Sequence, residues 1–371
     1  MTGVQTPVAL IIFNRPHTTE RVLARIAEAR PRQLFVIADG PRADHPGDSE
    51  RCAAARAVVD RVDWDCRVIR NYSDVNLGCG RRPASGIDWV FEQVDRAIIL
   101  EDDCVPHLSF FRFCEELLER YRDDERVMQI SGNNFQLGRR RTRYSYFFSC
   151  HNICWGWASW RRAWRYHDMA LGLWPALRDT PWLLDIVGDP RAARVWRRMF
   201  DIAHARGGDV DFWDYQWTFA CWAQHGLSIL PNATLVSNVG FGDDATHTKG
   251  RDKRAHLPTS ETIFPLEHPP YVARDAEADR FIVEEVVLPG LPEESGLLGK
   301  LRRVASVIAS GPVRRPESMR DVADVVARGL IALRFNYVID AVLKYAPEGI
   351  RAWVEAQKAK AKRRMASQPR L

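Results

Sequence analysis

Short apolar runs alternate with amphipathic stretches through the first hundred residues. Val8-Ala-Leu-Ile-Ile-Phe13 is continuous, rich in β-branched residues and bounded by Asn14-Arg15-Pro16, which predicts a buried strand ending at a turn. Thr18 is placed to cap a helix over 19–29, with Val22, Leu23 and Ile26 on one face and Pro31 beyond its end. Leu34-Phe-Val-Ile-Ala38 repeats the strand signal and stops at Asp39-Gly40-Pro41. A helix over 49–62, a strand over 66–71, a helix over 83–94 and a strand over 96–100 follow. Farther on, the pattern predicts an amphipathic helix over 108–121, a strand over 126–131, a helix over 215–225 and a strand over 233–237.

Apolar strands separated by amphipathic helices specify an α/β fold: a mostly parallel sheet with helices on both faces. Ligands of such sheets bind beyond the carboxyl ends of the strands. Those ends carry Asn14-Arg15, Asp39-Gly40, the segment 71–80 and Glu101-Asp102-Asp103, and polar residues at four successive ends point to a nucleotide-type site. These turns hold neither G-x-G-x-x-G nor G-x-x-x-x-G-K-[ST], which argues against a dinucleotide fold and a P-loop. Asn76-Leu-Gly-Cys-Gly80 with Arg81-Arg82 offers amides and guanidinium groups to phosphates, and equally suits a flexible turn with a solvated basic pair.

Composition narrows the class. The chain has 371 residues, 46% hydrophobic and 27% charged, which excludes wholesale disorder and a collagen-like structure. No apolar run approaches the ~20 residues that cross a bilayer, and the N-terminus lacks a signal-peptide pattern. The expectation is a cytoplasmic protein with reduced thiols. Its eight Cys include no C-x-x-C pair, and Cys150-His151-x-x-Cys154, the nearest approach to a metal cluster, lacks a fourth ligand. Two asymmetries stand out. Residues 298–371 hold 16 Lys+Arg and 6 Asp+Glu, so the overall +5 conceals a slightly acidic body and a strongly basic tail. Ten of the 13 Trp lie between Trp155 and Trp222.

Three consecutive carboxylates at a strand end repel one another unless a cation or several donors neutralise them. Glu101-Asp102-Asp103 therefore suits a hard divalent ion, Mn2+ or Mg2+, and suits equally a solvated acidic turn at a helix start. Taken in order, Leu10-Ile-Ile-Phe-Asn-Arg15, Phe35-Val-Ile-Ala-Asp-Gly40, Asn76-x-Gly78 and Ile98-Ile-Leu-Glu-Asp-Asp103 resemble successive motifs of GT-A-fold glycosyltransferases of the family 2 type. Pro106, Phe110-Phe111 and Phe212-Trp213-Asp214 are similar to the E-D-D and F-W-D regions of N-acetylglucosaminyltransferases that branch N-glycans. Trp155-Gly-Trp157 and Trp213-Asp-Tyr-Gln-Trp217 resemble patterns of bacterial hemolysin-like sugar transferases. The likeness covers roughly residues 7–250.

Carried over by position, the resemblance implies Asp103 as metal ligand on a nucleotide diphosphate, with Asp102 and Glu101 at ribose or donor sugar. It implies Asp39 at the base, usually uracil, with Phe13, Asn14, Arg15, Asn76, Gly78 and Arg82 around the nucleotide. Asp214 matches the general base, with Asp211 a competitor and Asp209 a weaker one, while a helix cap is also open to Asp214. His247 matches a late metal ligand in a loop with Asp243 and Asp244, and a lone loop His is also commonly just solvated. Trp155, Trp157 and Trp213 are candidates to line an acceptor cleft, while core duty is expected for most of the ten Trp.

The expected reaction is metal-dependent, inverting transfer of a sugar from a nucleotide-diphosphate donor, UDP-sugar favoured, to a glycan or lipid-linked acceptor in surface polysaccharide biosynthesis. Two alternatives remain: a sugar-nucleotide-forming nucleotidyltransferase, which would need a Gly-rich loop where Phe13-Asn-Arg-Pro16 stands, and a non-catalytic glycan-binding protein. The expected organisation is a GT-A-like domain over 1–262, a connector over 263–297 and a basic helical extension over 298–371. That extension suits the anionic inner face of a membrane, which would make the protein peripheral, and suits equally a solvated basic end. No nucleic-acid reader motif accompanies its charge, so nucleic acid is not an expected partner.

Overall fold

The computed structural model describes residues 3–241 and 253–289. In chain order the elements are β1 (Val8–Ile12), α1 (Pro16–Ala29), β2 (Gln33–Ala38), α2 (Asp48–Val59), β3 (Arg67–Tyr72), α3 (Gly78–Gln93) and β4 (Arg96–Glu101). Next come β5 (Cys104–Pro106), α4 (Leu108–Arg120), β6 (Val127–Ser131), β7 (Tyr146–Ser149), β8 (Trp157–Trp160) and α5 (Arg161–Trp164). The rest are α6 (Trp174–Leu177), α7 (Trp182–Val187), α8 (Pro190–Ala205), α9 (Asp214–Ala223), β9 (Leu227–Pro231), β10 (Val236–Asn238) and α10 (Ala276–Ile282).

Eight strands form one sheet in the order β3-β2-β1-β4-β8-β6-β9-β7. β3, β2, β1 and β4 run parallel, and β6 and β9 share their direction. β8 runs antiparallel between β4 and β6, and β7 is antiparallel at the edge. The fold is thus α/β with a mostly parallel sheet, as the strand and helix pattern requires.

The continuous apolar strands are explained by burial on both faces. Val8, Leu10 and Ile12 of β1 join a core with α1, α2 and α4, while Ala9 and Ile11 face α3, α5 and α9. The second core is aromatic: Trp157 lies 5.7–5.9 Å from Trp213, Trp217 and Trp164, and each such ring contributes about 1.5–3 kcal/mol by leaving water. A third core ties α6, α7 and α8 to α9 through Trp174, Leu183, Phe200, Phe219 and Trp222. Beyond Tyr271, α10 rests Ala278 and Ile282 on Phe147 and Leu230.

Helix starts differ from those expected. Pro16 takes the first helical position of α1, where its missing N–H costs nothing, and Thr18 and Thr19 donate back to the Arg15 carbonyl. α3 begins at Gly78, five residues before Pro83. Trp157 to Trp160 forms a strand in the middle of the sheet. The C-terminal extension over 298–371 lies outside the described residues.

Candidate functional site at the carboxyl edge of the sheet

β4 ends at Glu101, and the chain turns through Asp102-Asp103 into β5, which pairs antiparallel with β10. That pairing draws the segment after β10 across Asp103. Asn238 Nδ2 donates to Asp103 Oδ1 at 3.3 Å, and the Val239 N–H donates to the Asp103 carbonyl at 2.8 Å. Gly240 is so close that a Cβ there would lie 2.0 Å from Asp103 Oδ2, so a larger residue has to displace that carboxylate. From the other side, Arg15 Nη2 lies 2.6 Å from Asp102 Oδ1 and 3.0 Å from Asp103 Oδ2. The Phe13 N–H donates to Asp102 Oδ2 at 3.2 Å, stitching the loop after β1 to the loop after β4.

The electrostatics follow from burial among like charges. Burial first, then the charges of Asp103, Asp102 and Asp214, together push Glu101 up to about 8, with Arg15 acting against them. Burial also pushes Asp102 up, to about 6, with Arg15 holding it down. For Arg15 burial works against the charge, but Asp102 and Asp103 reverse that and hold it protonated more firmly than an ordinary arginine.

The opposite wall is the segment leading into α9. The Cys79 N–H donates to Asp211 Oδ1 at 3.0 Å, and a Cβ on Gly80 would meet the Val210 carbonyl at 2.0 Å. The start of α3 is therefore locked against residues 210–212, and Asp214 follows as the first residue of α9. Burial raises the Cys79 thiol strongly, and the negative charge of Glu101, Asp211, Asp214 and Asp103 raises it further.

Asp39 is occupied within the chain. Its carboxylate accepts from the N–H groups of Gly40 (2.9 Å), Leu77 (2.9 Å) and Gly78 (3.0 Å) and from Asn76 Nδ2 (3.0 Å). It caps α3 from a different strand end, and burial still raises its pKa against those donors. Arg82 is likewise turned inward: its Nε donates to the Ala38 carbonyl at 3.1 Å and its Nη2 to Asn71 Oδ1 at 2.8 Å. Asn14 donates to Asp48 at 2.8 Å, and Asp48 also binds Arg42 and Arg51. Arg42 in turn lies 5.4 Å over the Phe13 ring.

The aromatic candidates divide. Trp157 is fully buried and Trp213 is 4% exposed, so both serve the core rather than line a cleft in this conformation. The cause is the strand position of Trp157, which faces it into the four-Trp cluster. Trp155 is half-buried, edge-on to Phe135 (4.8 Å) and Phe241 (5.5 Å), with the Arg254 guanidinium 5.8 Å from its ring. His247, Asp243 and Asp244 lie outside the described residues.

Asn238, Gly240, Arg42 and Asp48 escape sequence reading. The pairing of β10 with β5 is what delivers the first two, and nothing local in the sequence announces it. Cys150 and His151 do meet a third group, but it is Asp279 rather than Cys154. Arg274 Nε already sits 2.8 Å from the Asp279 carboxylate, and Ser149 donates to it, which makes a buried ion pair.

No family model matches the chain, and no curated protein matches it. Among solved structures, the chain is similar to a UDP-glucose pyrophosphorylase complexed with UDP-glucose, at 9% identity and a TM-score of 0.24 over 39% of this chain. It spans 62% of that chain. It is also similar to mouse xyloside xylosyltransferase 1 in its apo form, at 13% identity and a TM-score of 0.28, covering 60% of this chain and 83% of that one.

Proposed function

We propose that the protein is a metal-dependent glycosyltransferase that moves a sugar from a nucleotide-diphosphate donor to a hydroxyl acceptor with inversion. The observation that carries this reading is the acidic turn Glu101-Asp102-Asp103 at the carboxyl end of β4, with Arg15 2.6 Å from Asp102 and 3.0 Å from Asp103 and with Asn238 on the other Asp103 oxygen. Three consecutive carboxylates at one strand end, one of them raised to about 8 by burial among like charges, favour an added cation. Asp103 is the carboxylate suited to hold Mn2+ or Mg2+, because its side chain stays 13% exposed while that of Asp102 is 4% exposed. What that cation supplies when bound is neutralisation of the leaving nucleoside diphosphate.

The chain's own groups do the rest. Arg15 adds positive charge beside the diphosphate and holds Asp102 and Asp103 in place. Asp214 takes the proton of the acceptor hydroxyl as its oxygen bonds to the anomeric carbon and the bond to phosphate breaks, the nucleoside diphosphate leaving with the electron pair. Asp211, bound to the Cys79 N–H, positions the segment that delivers Asp214. Trp155, the half-buried one of the aromatic candidates, stacks on acceptor sugar; the donor favoured is a UDP-sugar, and the acceptor is a glycan or a lipid-linked glycan. Phe13-Asn-Arg-Pro16 supplies no Gly-rich loop, which disfavours nucleotidyl transfer.

A panel of nucleotide sugars with Mn2+, read by release of nucleoside diphosphate, tests this. One donor is expected to turn over, and Asp103→Asn to slow it at least ~100-fold by removing a charge-stabilising contact. Absence of both turnover and nucleotide binding in the unaltered protein refutes the reading. Release of pyrophosphate instead of nucleoside diphosphate replaces it with nucleotidyl transfer.

A further inference from the structure

We propose that the outer face of α8 is a docking surface for the anionic headgroups of a phospholipid membrane. A groove of about 500 Å3 runs along this helix, lined by Arg194, Arg197, Arg198 and Arg206 with Asp201 and Ile202. The opposite side of α8 is committed to the protein: Trp196 and Phe200 pack on Tyr215, Phe219 and Trp222 of α9. Asp201, the carboxylate in the groove, is neutralised by Arg178 Nε at 2.7 Å and also accepts from Trp174 Nε1 at 3.0 Å. What the groove presents outward is positive charge.

The spacing of that charge selects the partner. Arg194, Arg197 and Arg198 on α8 and Arg206 just past its end line one surface, with about 18 Å of rise from first to last. Guanidinium groups spread along a surface do not converge on one phosphate; they match an array of headgroups, each basic residue adding attraction near an anionic surface. The adjoining segment adds apolar contact. Leu173 and Leu184 are 60% and 41% exposed, and the stretch between them is tied to the groove by Arg178 on Asp201 and Arg197 on Asp179 at 3.4 Å. Exposed leucines beside an arginine-lined surface fit the membrane interface better than a soluble polyanion, which offers nothing for them to enter. This inference does not rest on the sugar-transfer reading.

Co-sedimentation of the full chain with vesicles of phosphatidylglycerol and phosphatidylcholine, against pure phosphatidylcholine, provides the test. Binding is expected to the anionic vesicles alone and to weaken with salt. The triple variant Arg194→Glu/Arg198→Glu/Arg206→Glu is expected to lower the partition coefficient at least about tenfold. Leu173→Ser/Leu184→Ser, which leaves the charges intact, is expected to weaken vesicle binding and leave binding to dextran sulfate unchanged. If the triple variant sediments like the parent, the charge of residues 298–371 carries the binding and the proposal falls. It falls equally if the parent binds dextran sulfate but not the anionic vesicles.

Discussion

Gly240 is where a single missing side chain matters most, because Asp103 Oδ2 occupies the space a methyl group would take. Gly240→Ala must displace either the carboxylate or the strand-like segment after β10. The expected outcome is a loss of metal-dependent turnover of at least about tenfold, with a cost to stability of only about 1–3 kcal/mol. Turnover against Mn2+ concentration, beside a thermal melt, separates the two; unchanged metal dependence would remove Asp103 from the ligand role. A second residue sets acid sensitivity. His167 stacks on Trp164 at 4.1 Å with its Nε2 buried and unpartnered among the described residues. Burial lowers its pKa to about 4, against a hydrogen bond to the Trp213 backbone. The unfolded chain binds this proton near pH 6.5 and the folded chain near 4, so its contribution is complete above 6.5 and is lost as pH falls through that window. The shift corresponds to up to about 3 kcal/mol. Melts between pH 7 and 4 should show His167→Phe losing less stability on acidification than the parent, and parallel curves would contradict this.

At the scale of elements, α3 shows how a distant side chain sets a boundary. Gly78 has φ +82° and Pro83 lies inside the helix, so local signals place the start near Pro83. The helix starts earlier because the Asp39 carboxylate receives the N–H groups of Leu77 and Gly78. Asp39→Asn replaces a charged acceptor with a neutral amide and leaves one of those donors poorly matched. A destabilisation of about 1–3 kcal/mol is expected from denaturant melts, together with weaker nucleotide binding as the 75–80 loop loosens. Full stability would mean that the cap is dispensable. The same contrast explains what was readable elsewhere. β1, β2 and β4 were legible because burial on both faces leaves unbroken apolar runs. β7, β8 and β9 are four or five residues long, and β8 carries Ser159, whose hydroxyl is satisfied by the Met128 carbonyl only once β6 lies beside it. The acidic turn was legible because three adjacent carboxylates are conspicuous. Arg82 and Trp157 were not, since an arginine among backbone carbonyls and a tryptophan in a central strand have the same letters as binding residues.

For the whole molecule, the decisive question is where the folded body ends. The domain expected to be catalytic reads from sequence as closing near residue 262, before the Pro-rich stretch 264–271. In the structure the chain continues to build the core after that stretch. Arg274 forms a bridge beside Phe148 and pairs with the buried Asp279, whose carboxylate also takes Ser149 Oγ at 2.5 Å. Ala278 and Ile282 cover Phe147, Ile153 and Leu230, and the π-turn over Val283–Val287 reaches the α8 core through Val283. A chain ending at 262 would expose that apolar surface and strip Ser149 and Cys150 of their buried acceptor, a loss of several kcal/mol against a total stability of about 5–15. A chain ending at 291 keeps every one of these contacts, in line with the compact unit Met1–Leu291. The shorter chain is expected to aggregate or to melt at least about 10 °C lower, and the longer one to melt cooperatively near the full-length value. Equal melting of the two truncated chains would show that residues 263–289 are an appendage to the sheet rather than part of its core.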